Sequence, residues 1–188
     1  MTEAPVARNQ FLDKTLLYLF SYNAEVDPYT LRIGVVPEGV RFNVSGTPDE
    51  SRVYHVLREK TQAGFGPGFK VITGRIRVGS DRALYRTDDV VVDEVRLTIE
   101  TDDGALINAR YHGSAYLGAG GYDAYVAGID RVGRFRNPAY APIVIAPRFE
   151  TLHQDYKWIS KHQCVGFGLA EVIKSQIRRI TYDVYAMT

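Results

Sequence analysis

Two arginines set the first chemical question. In VRLTIETDDGALINARYHG, residues 95–113, a hairpin turning at Asp102-Asp103-Gly104 places Arg96 directly opposite Arg110. Like charges across a sheet repel, so such a pair needs water or an anion between the guanidinium groups. Paired guanidinium forks bind a carboxylate or enolate oxygen well. Proton-moving residues accompany them in the sequence. Tyr111 and His112 follow Arg110, Asp81 ends a Gly-rich stretch, and Glu150 lies two residues after Arg148, on one face of a strand. Asn108 adds an amide, and Tyr156 and Trp158 add flat rings for stacking. These groups could polarise a carbonyl and shift one proton without a cofactor, which serves isomerisation, elimination, hydration or cyclisation. A carboxyl acting as the acid near neutral pH would need a raised pKa.

Other chemistries find less support. His55, His112, His153 and His162 lack close ligand spacing. A metal site assembled from distant strands stays open, but none is expected. Cys164 reads as a small buried hydrophobe; as a nucleophile it would need a base such as His162 and an electropositive setting. Gly64-Phe65-Gly66-Pro67-Gly68 is a loop, not a phosphate cradle, because no Lys-Ser or Lys-Thr follows. No nucleophile elbow and no nucleotide fingerprint occur, so no cofactor is expected.

Strands must position these residues. A three-residue loop with Gly104 in the left-handed conformation fixes the hairpin register. One face then carries Val95, Leu97, Ile99 and Thr101 opposite Tyr111, Ala109, Ile107 and Ala105. The other carries Glu94, Arg96, Thr98 and Glu100 opposite His112, Arg110, Asn108 and Leu106. Two readings stay open: the apolar face fills a barrel and the charged face meets water, or the charged face lines a cavity. Further strands are expected at 15–26, 29–36, 40–44, 69–78, 82–86, 143–149, 158–167 and 177–187, with a turn at Gly79-Ser80-Asp81. Thr47-Pro48-Asp49-Glu50 resembles a helix start, giving a helix over 48–61, although 52–57 would also suit a strand. Residues 113–140 form a long connection of lid-like character, with a short helix near 123–129. The sum is an all-β chain, an antiparallel barrel of about eight to ten strands with one or two short helices; a sandwich is the alternative. Residues 1–12 are expected to be flexible and 13–188 to form one domain, with 48–61 and 113–140 near the barrel mouth.

Composition narrows the partners. The 188 residues carry 23 basic and 22 acidic side chains, a balance unlike that of a nucleic-acid binder. The single cysteine excludes an internal disulfide, and the N-terminal stretch has no apolar signal core, so a cytoplasmic protein without membrane association is expected. Thirteen tyrosines suit half-buried strands and cavity walls.

Five segments in order, GFGPGFKVITGRIRVGSD (64–81), VRLTIETDDGALINARYHG (95–113), APRFETLHQDYKWIS (146–160), VGFG (165–168) and ITYDVYAMT (180–188), resemble the family known as domain of unknown function three-two-three-seven. The resemblance implies a compact antiparallel β-barrel, often a homodimer, with no settled activity. It directs attention to Asp81, Arg96, Tyr111, Glu150, Tyr156 and Trp158. The family pattern tends to place Trp after the Asp that closes the Gly-rich stretch, whereas here Arg82 follows Asp81. The segments 46–63 and 113–140 are also longer than usual.

The leading expectation is a cofactor-free lyase, isomerase or cyclase acting on a small oxygenated metabolite, aromatic or carboxylate-bearing. Arg96 and Arg110 would hold an anionic oxygen, Glu150 or Asp81 would move the proton, and Tyr111 or His112 would assist. Asn108, Tyr156 and Trp158 would complete the substrate contacts. The alternatives are a barrel that carries a hydrophobic small molecule and a dimeric interaction module without a cavity.

Overall fold

Alternation of inward and outward side chains organises the chain. In the computed structural model, Leu106–Tyr116 buries every second residue, Ile107, Ala109, Tyr111, Gly113 and Ala115, as a strand with one face on a core must. The structure describes residues 15–27, 31–47, 50–54, 69–130, 139–173 and 176–187. In chain order the strands are β1 (Leu16–Glu25), β2 (Leu31–Val36), β3 (Gly39–Ser45), β4 (Arg52–Tyr54), β5 (Gly74–Arg86), β6 (Val90–Thr101), β7 (Leu106–Tyr116), β8 (Ala139–Ile145), β9 (Arg148–Glu150), β10 (Cys164–Ile173) and β11 (Gln176–Met187). Helix α1 (Gly121–Asp130) precedes β8, and a 3-10 helix, η1 (Gln154–Lys161), precedes β10.

Eight strands close an antiparallel barrel in the order β5-β4-β1-β11-β10-β8-β7-β6, with β6 pairing back to β5. The hairpin β2–β3 extends the sheet from the far half of β5, and β9 pairs with β7. The interior is aliphatic and aromatic: Phe20, Ile99, Ile107, Ile145 and Val184 are almost fully enclosed. Burying each such side chain contributes about 1.5–3 kcal/mol. Among the described residues, no helix is long and apolar enough to cross a membrane.

The β6–β7 hairpin has the expected register, with Val95 opposite Tyr111, Arg96 opposite Arg110 and Thr98 opposite Asn108. Gly104 turns it at φ 85°. Three expectations fail. Gly79-Ser80-Asp81 is no turn but the middle of β5. The register slips between Ile76 and Val78, and this bulge resets the alternation, so Asp81 points inward. The chain reverses instead at Thr87-Asp88-Asp89, where Asp89 takes φ 66°. Arg52–Tyr54 is a strand rather than helix, because Val53 bridges Tyr22 of β1 and Gly74 of β5 and is buried there. The rest of the expected helix, 48–49 and 55–61, lies outside the described residues, as do 1–12 and the loop 64–68. Trp158 sits in η1 and not in a strand; β10 begins only at Cys164.

Helices α1 and η1 pack at opposite ends of β6. Tyr125 of α1 stacks on Tyr85 at 4.1 Å and meets Phe42 edge-on at 6.3 Å. Asp89 fixes the start of that helix by accepting the backbone N–H groups of Gly120 and Tyr122, each at 2.9 Å, which otherwise lack partners in a first turn. In the connection 113–140, then, 113–116 continue β7 and 121–130 form α1; 131–138 lie outside the described residues. At the other end, η1 buries Tyr156 and Ile159. Lys70 bridges Asp103 at 2.5 Å and Asp155 at 3.0 Å, and the Tyr156 hydroxyl donates to Asp103 Oδ1 at 2.9 Å.

Candidate active site

Inside the barrel the apolar lining is broken by two acids. Asp81 on β5 lies opposite Val95, which in turn lies opposite Tyr111, so the three residues form one row across the inner wall. Asp93, two residues before Val95 on β6, is the diagonal neighbour of Asp81 and only 7% exposed. The two carboxyl groups are close enough for each to alter the proton affinity of the other. A carboxylic acid beside a carboxylate can share its one proton with it. Burial raises the pKa of both acids, and for Asp81 the charge of Asp93 raises it further. Each acid therefore releases its proton far less readily than an exposed carboxyl, and the pair keeps a shared proton toward neutral pH. The backbone N–H of Glu94 donates to Asp81 Oδ1 at 3.0 Å and holds that carboxyl in place.

Three tyrosines complete the chamber. The hydroxyls of Tyr22 and Tyr111 are hydrogen-bonded at 2.8 Å, and the Tyr182 ring lies 5.1 Å from that of Tyr22. Burial drives all three phenols well above their usual range, so they stay protonated. In a hydroxyl pair one proton is used within the pair and the other remains free to donate. Glycine makes room opposite Asp93: a Cβ on Gly113 would stand 2.8 Å from Ile145 Cγ2 and 3.3 Å from Asp93 Oδ2. A cavity of about 50 Å³ reaches this chamber from between the ends of β1, β3 and β4, past Gly46, Thr47 and Ser51, to Asp81, Tyr111 and Tyr182. No cationic side chain lines it among the described residues. That space admits the reacting end of a molecule, a few heavy atoms.

The expected site residues separate into three places. Asp81 and Tyr111 meet in the interior. Arg96, Arg110, Asn108 and Glu150 gather on the outer wall, with Arg96 and Arg110 side chains 77% and 67% exposed. His112 is also exposed on the outer face. The charged face of the hairpin therefore does not line the barrel: aliphatic groups of the opposite face fill that space. The interior carboxyls, Asp81 and Asp93, are acids whose burial raises their proton affinity. Tyr156 and Trp158 lie at the η1 end; Asp103, which Tyr156 contacts, is eight residues beyond Val95, roughly 25 Å of strand away. Cys164 is buried and its thiol is pushed up to about 12 by that burial, which keeps it from acting as a nucleophile. Asp103, His153 and Asp155 come close enough to share an ion, but Lys70 already bridges the two acids.

Sequence reasoning missed Asp93, Tyr22 and Tyr182. The signal for Asp93 was present. Continuing the inward phase of Leu97 and Val95 by one step reaches it, an acid set in the apolar run Val90-Val91-Val92.

A closed antiparallel barrel with an acid pair and tyrosines inside is the class of protein that fold and site define. The chain belongs to the family described as protein of unknown function (DUF3237), whose profile matches residues 15–187. Solved structures share the fold. A protein of unknown function from Clostridium acetobutylicum is 21% identical with a TM-score of 0.72, over 94% of this chain and all of that one. A conserved protein of unknown function from Rhodopseudomonas palustris is 20% identical, TM-score 0.69, over 93% and 98%. A structure described as an enzyme from Penicillium herquei is 15% identical, TM-score 0.54, over the whole of both chains. No curated protein matches the chain significantly.

Proposed function

We propose that the protein is an acid–base catalyst that isomerises, eliminates, hydrates or cyclises a small oxygenated compound inside the barrel, with Asp81 and Asp93 moving the proton. One observation carries the reading: two carboxyls are buried as diagonal neighbours on the inner wall, and one of them, Asp81, faces a cavity that opens toward solvent. Buried ionisable groups cost stability, and where such groups face a cavity they mark a functional centre. The half-protonated pair holds both halves of the chemistry. Its carboxylate accepts a proton from the substrate and its carboxylic acid returns one to another atom, so the pair ends as it began. The free hydroxyl proton of the Tyr22–Tyr111 pair donates to the oxygen that gains charge. The lining carries no fixed positive charge among the described residues, which favours a substrate that is neutral at its reacting end. The fold relative from Penicillium herquei, described as an enzyme, is in keeping with catalysis on this scaffold.

The test is exchange with heavy water. A panel of enolisable and α,β-unsaturated carbonyl compounds is incubated with the protein in D₂O and followed by NMR. Enzyme-dependent deuterium incorporation or conversion is expected, falling about 100-fold or more in Asp81→Asn and Asp93→Asn. Equal turnover by wild type and both variants would remove the acids from the mechanism. The largely apolar and tyrosine lining favours a second reading, a carrier of a hydrophobic molecule. In that case compounds bind, no exchange is catalysed, and the Asn variants bind as well as wild type.

A further inference from the structure

The outer wall carries a feature that the interior chemistry does not use. Arg96 of β6, Arg110 of β7 and Arg148 of β9 stand opposite one another in a row across three neighbouring strands. All three are exposed. They border a hollow of about 380 Å³ with Ser80, Thr98 and Asn108. Strands lie about 4.8 Å apart, so the row spans roughly 10 Å from its first to its third arginine.

The acids nearby do not neutralise it. Glu94 approaches Arg96 only to 3.6 Å and Glu150 approaches Arg110 only to 3.8 Å, and both arginine side chains are largely exposed. Such loose surface pairs contribute little. Arg148 has no ion pair among the described residues. Thr98 Oγ1 donates to Asn108 Oδ1 at 2.9 Å, which ties up the amide oxygen and leaves its N–H groups for an acceptor. Three guanidinium forks, an amide and a serine hydroxyl offer donors, while among the described residues the one anionic group lining the hollow is Glu150. Adjacent like charges are unfavourable until an anion sits between them.

We propose that this row is a binding site for a small molecule with two neighbouring anionic groups, a diphosphate or a dicarboxylate. Each anionic group would sit between neighbouring guanidinium forks, and Arg110 would serve both. The site lies on the opposite side of the wall from Asp81 and Asp93 and stands independently of the interior reading.

Isothermal titration calorimetry of the full chain at low ionic strength tests this, with inorganic pyrophosphate and succinate as separate probes. Saturable one-to-one binding of at least one probe is expected. Arg110→Ala should weaken it at least tenfold and Arg148→Ala several-fold. Arg86→Ala, which removes an exposed arginine paired with Asp88 elsewhere, should leave it within twofold. Glu150→Gln should tighten it. Binding of pyrophosphate alone identifies the phosphoanhydride as the ligand type, and binding of succinate alone identifies the dicarboxylate. The proposal is overturned if neither probe saturates, or if Arg110→Ala and Arg148→Ala bind as wild type does. It is also overturned if Arg86→Ala weakens binding as much as they do. Thermal melts of each variant verify that the fold is retained.

Discussion

The two faces of one ribbon make opposite use of charge. On the inner face of β5–β6–β7, two acids sit among aliphatic and tyrosine side chains, and burial holds a proton on them. On the outer face, one residue away along each strand, arginines of neighbouring strands stand in water. Neither face differs in backbone geometry; they differ in what the alternation turns them toward. A charge becomes a reagent when it is enclosed. In water the same kind of group is at most a handle for a charged ligand.

The largest expected effect separates the faces functionally. Asp93→Asn should reduce proton transfer by about 100-fold or more while leaving binding of dianions at the outer row unchanged, measured by NMR exchange and calorimetry on the same preparation. Loss of both at once would break the comparison.

Above about pH 4, stability should respond to pH through the buried acids of the inner face. A carboxyl whose folded pKa is raised stabilises the fold fully below its unfolded value near 4. That contribution is lost as pH rises toward the folded value of Asp81, about 8. The melting temperature should therefore fall between about pH 4 and 8. Asp81→Asn, which cannot ionise, should flatten this slope and melt several degrees higher than wild type near pH 8. An unchanged slope in the variant would show that other groups cause it.

Packing beside the acids comes next. Gly113→Ala forces a methyl against Ile145 and Asp93 and should cost about 1–3 kcal/mol in denaturant melts. Tyr111→Phe removes one hydroxyl of the buried pair with Tyr22 and should cost about 1 kcal/mol. A cost near zero would mean that the Tyr22 hydroxyl finds another partner.

Much of this wall was legible in the residues. Asp-Asp-Gly turn chemistry fixed the β6–β7 register, and the expected cross-strand pairs from Glu94–His112 to Glu100–Leu106 are present. The direction in which each face points was not legible, because the alternation of a single hairpin looks the same whether its charged side encloses water or meets it. Closure by the other strands decides that. Asp81 was singled out as a candidate but placed in a turn, because Gly-Ser-Asp is turn chemistry and a bulge leaves no mark in one sequence. Tyr22 and Tyr182 come from strands far apart in the chain, and only the pairing of β1 with β11 brings them beside Tyr111.

The bulge before Asp81 has one more consequence. β5 carries one residue more than β6 needs opposite it, between Ile76 and Val78. That spare residue gives the strand slack just upstream of its acid. Deleting Arg77 would straighten the ladder and still leave Asp81 aimed at the chamber, whereas ironing out the slip at full length would swing the acid into solvent. Chain length at this point, more than residue identity, decides which side of the wall receives the carboxyl.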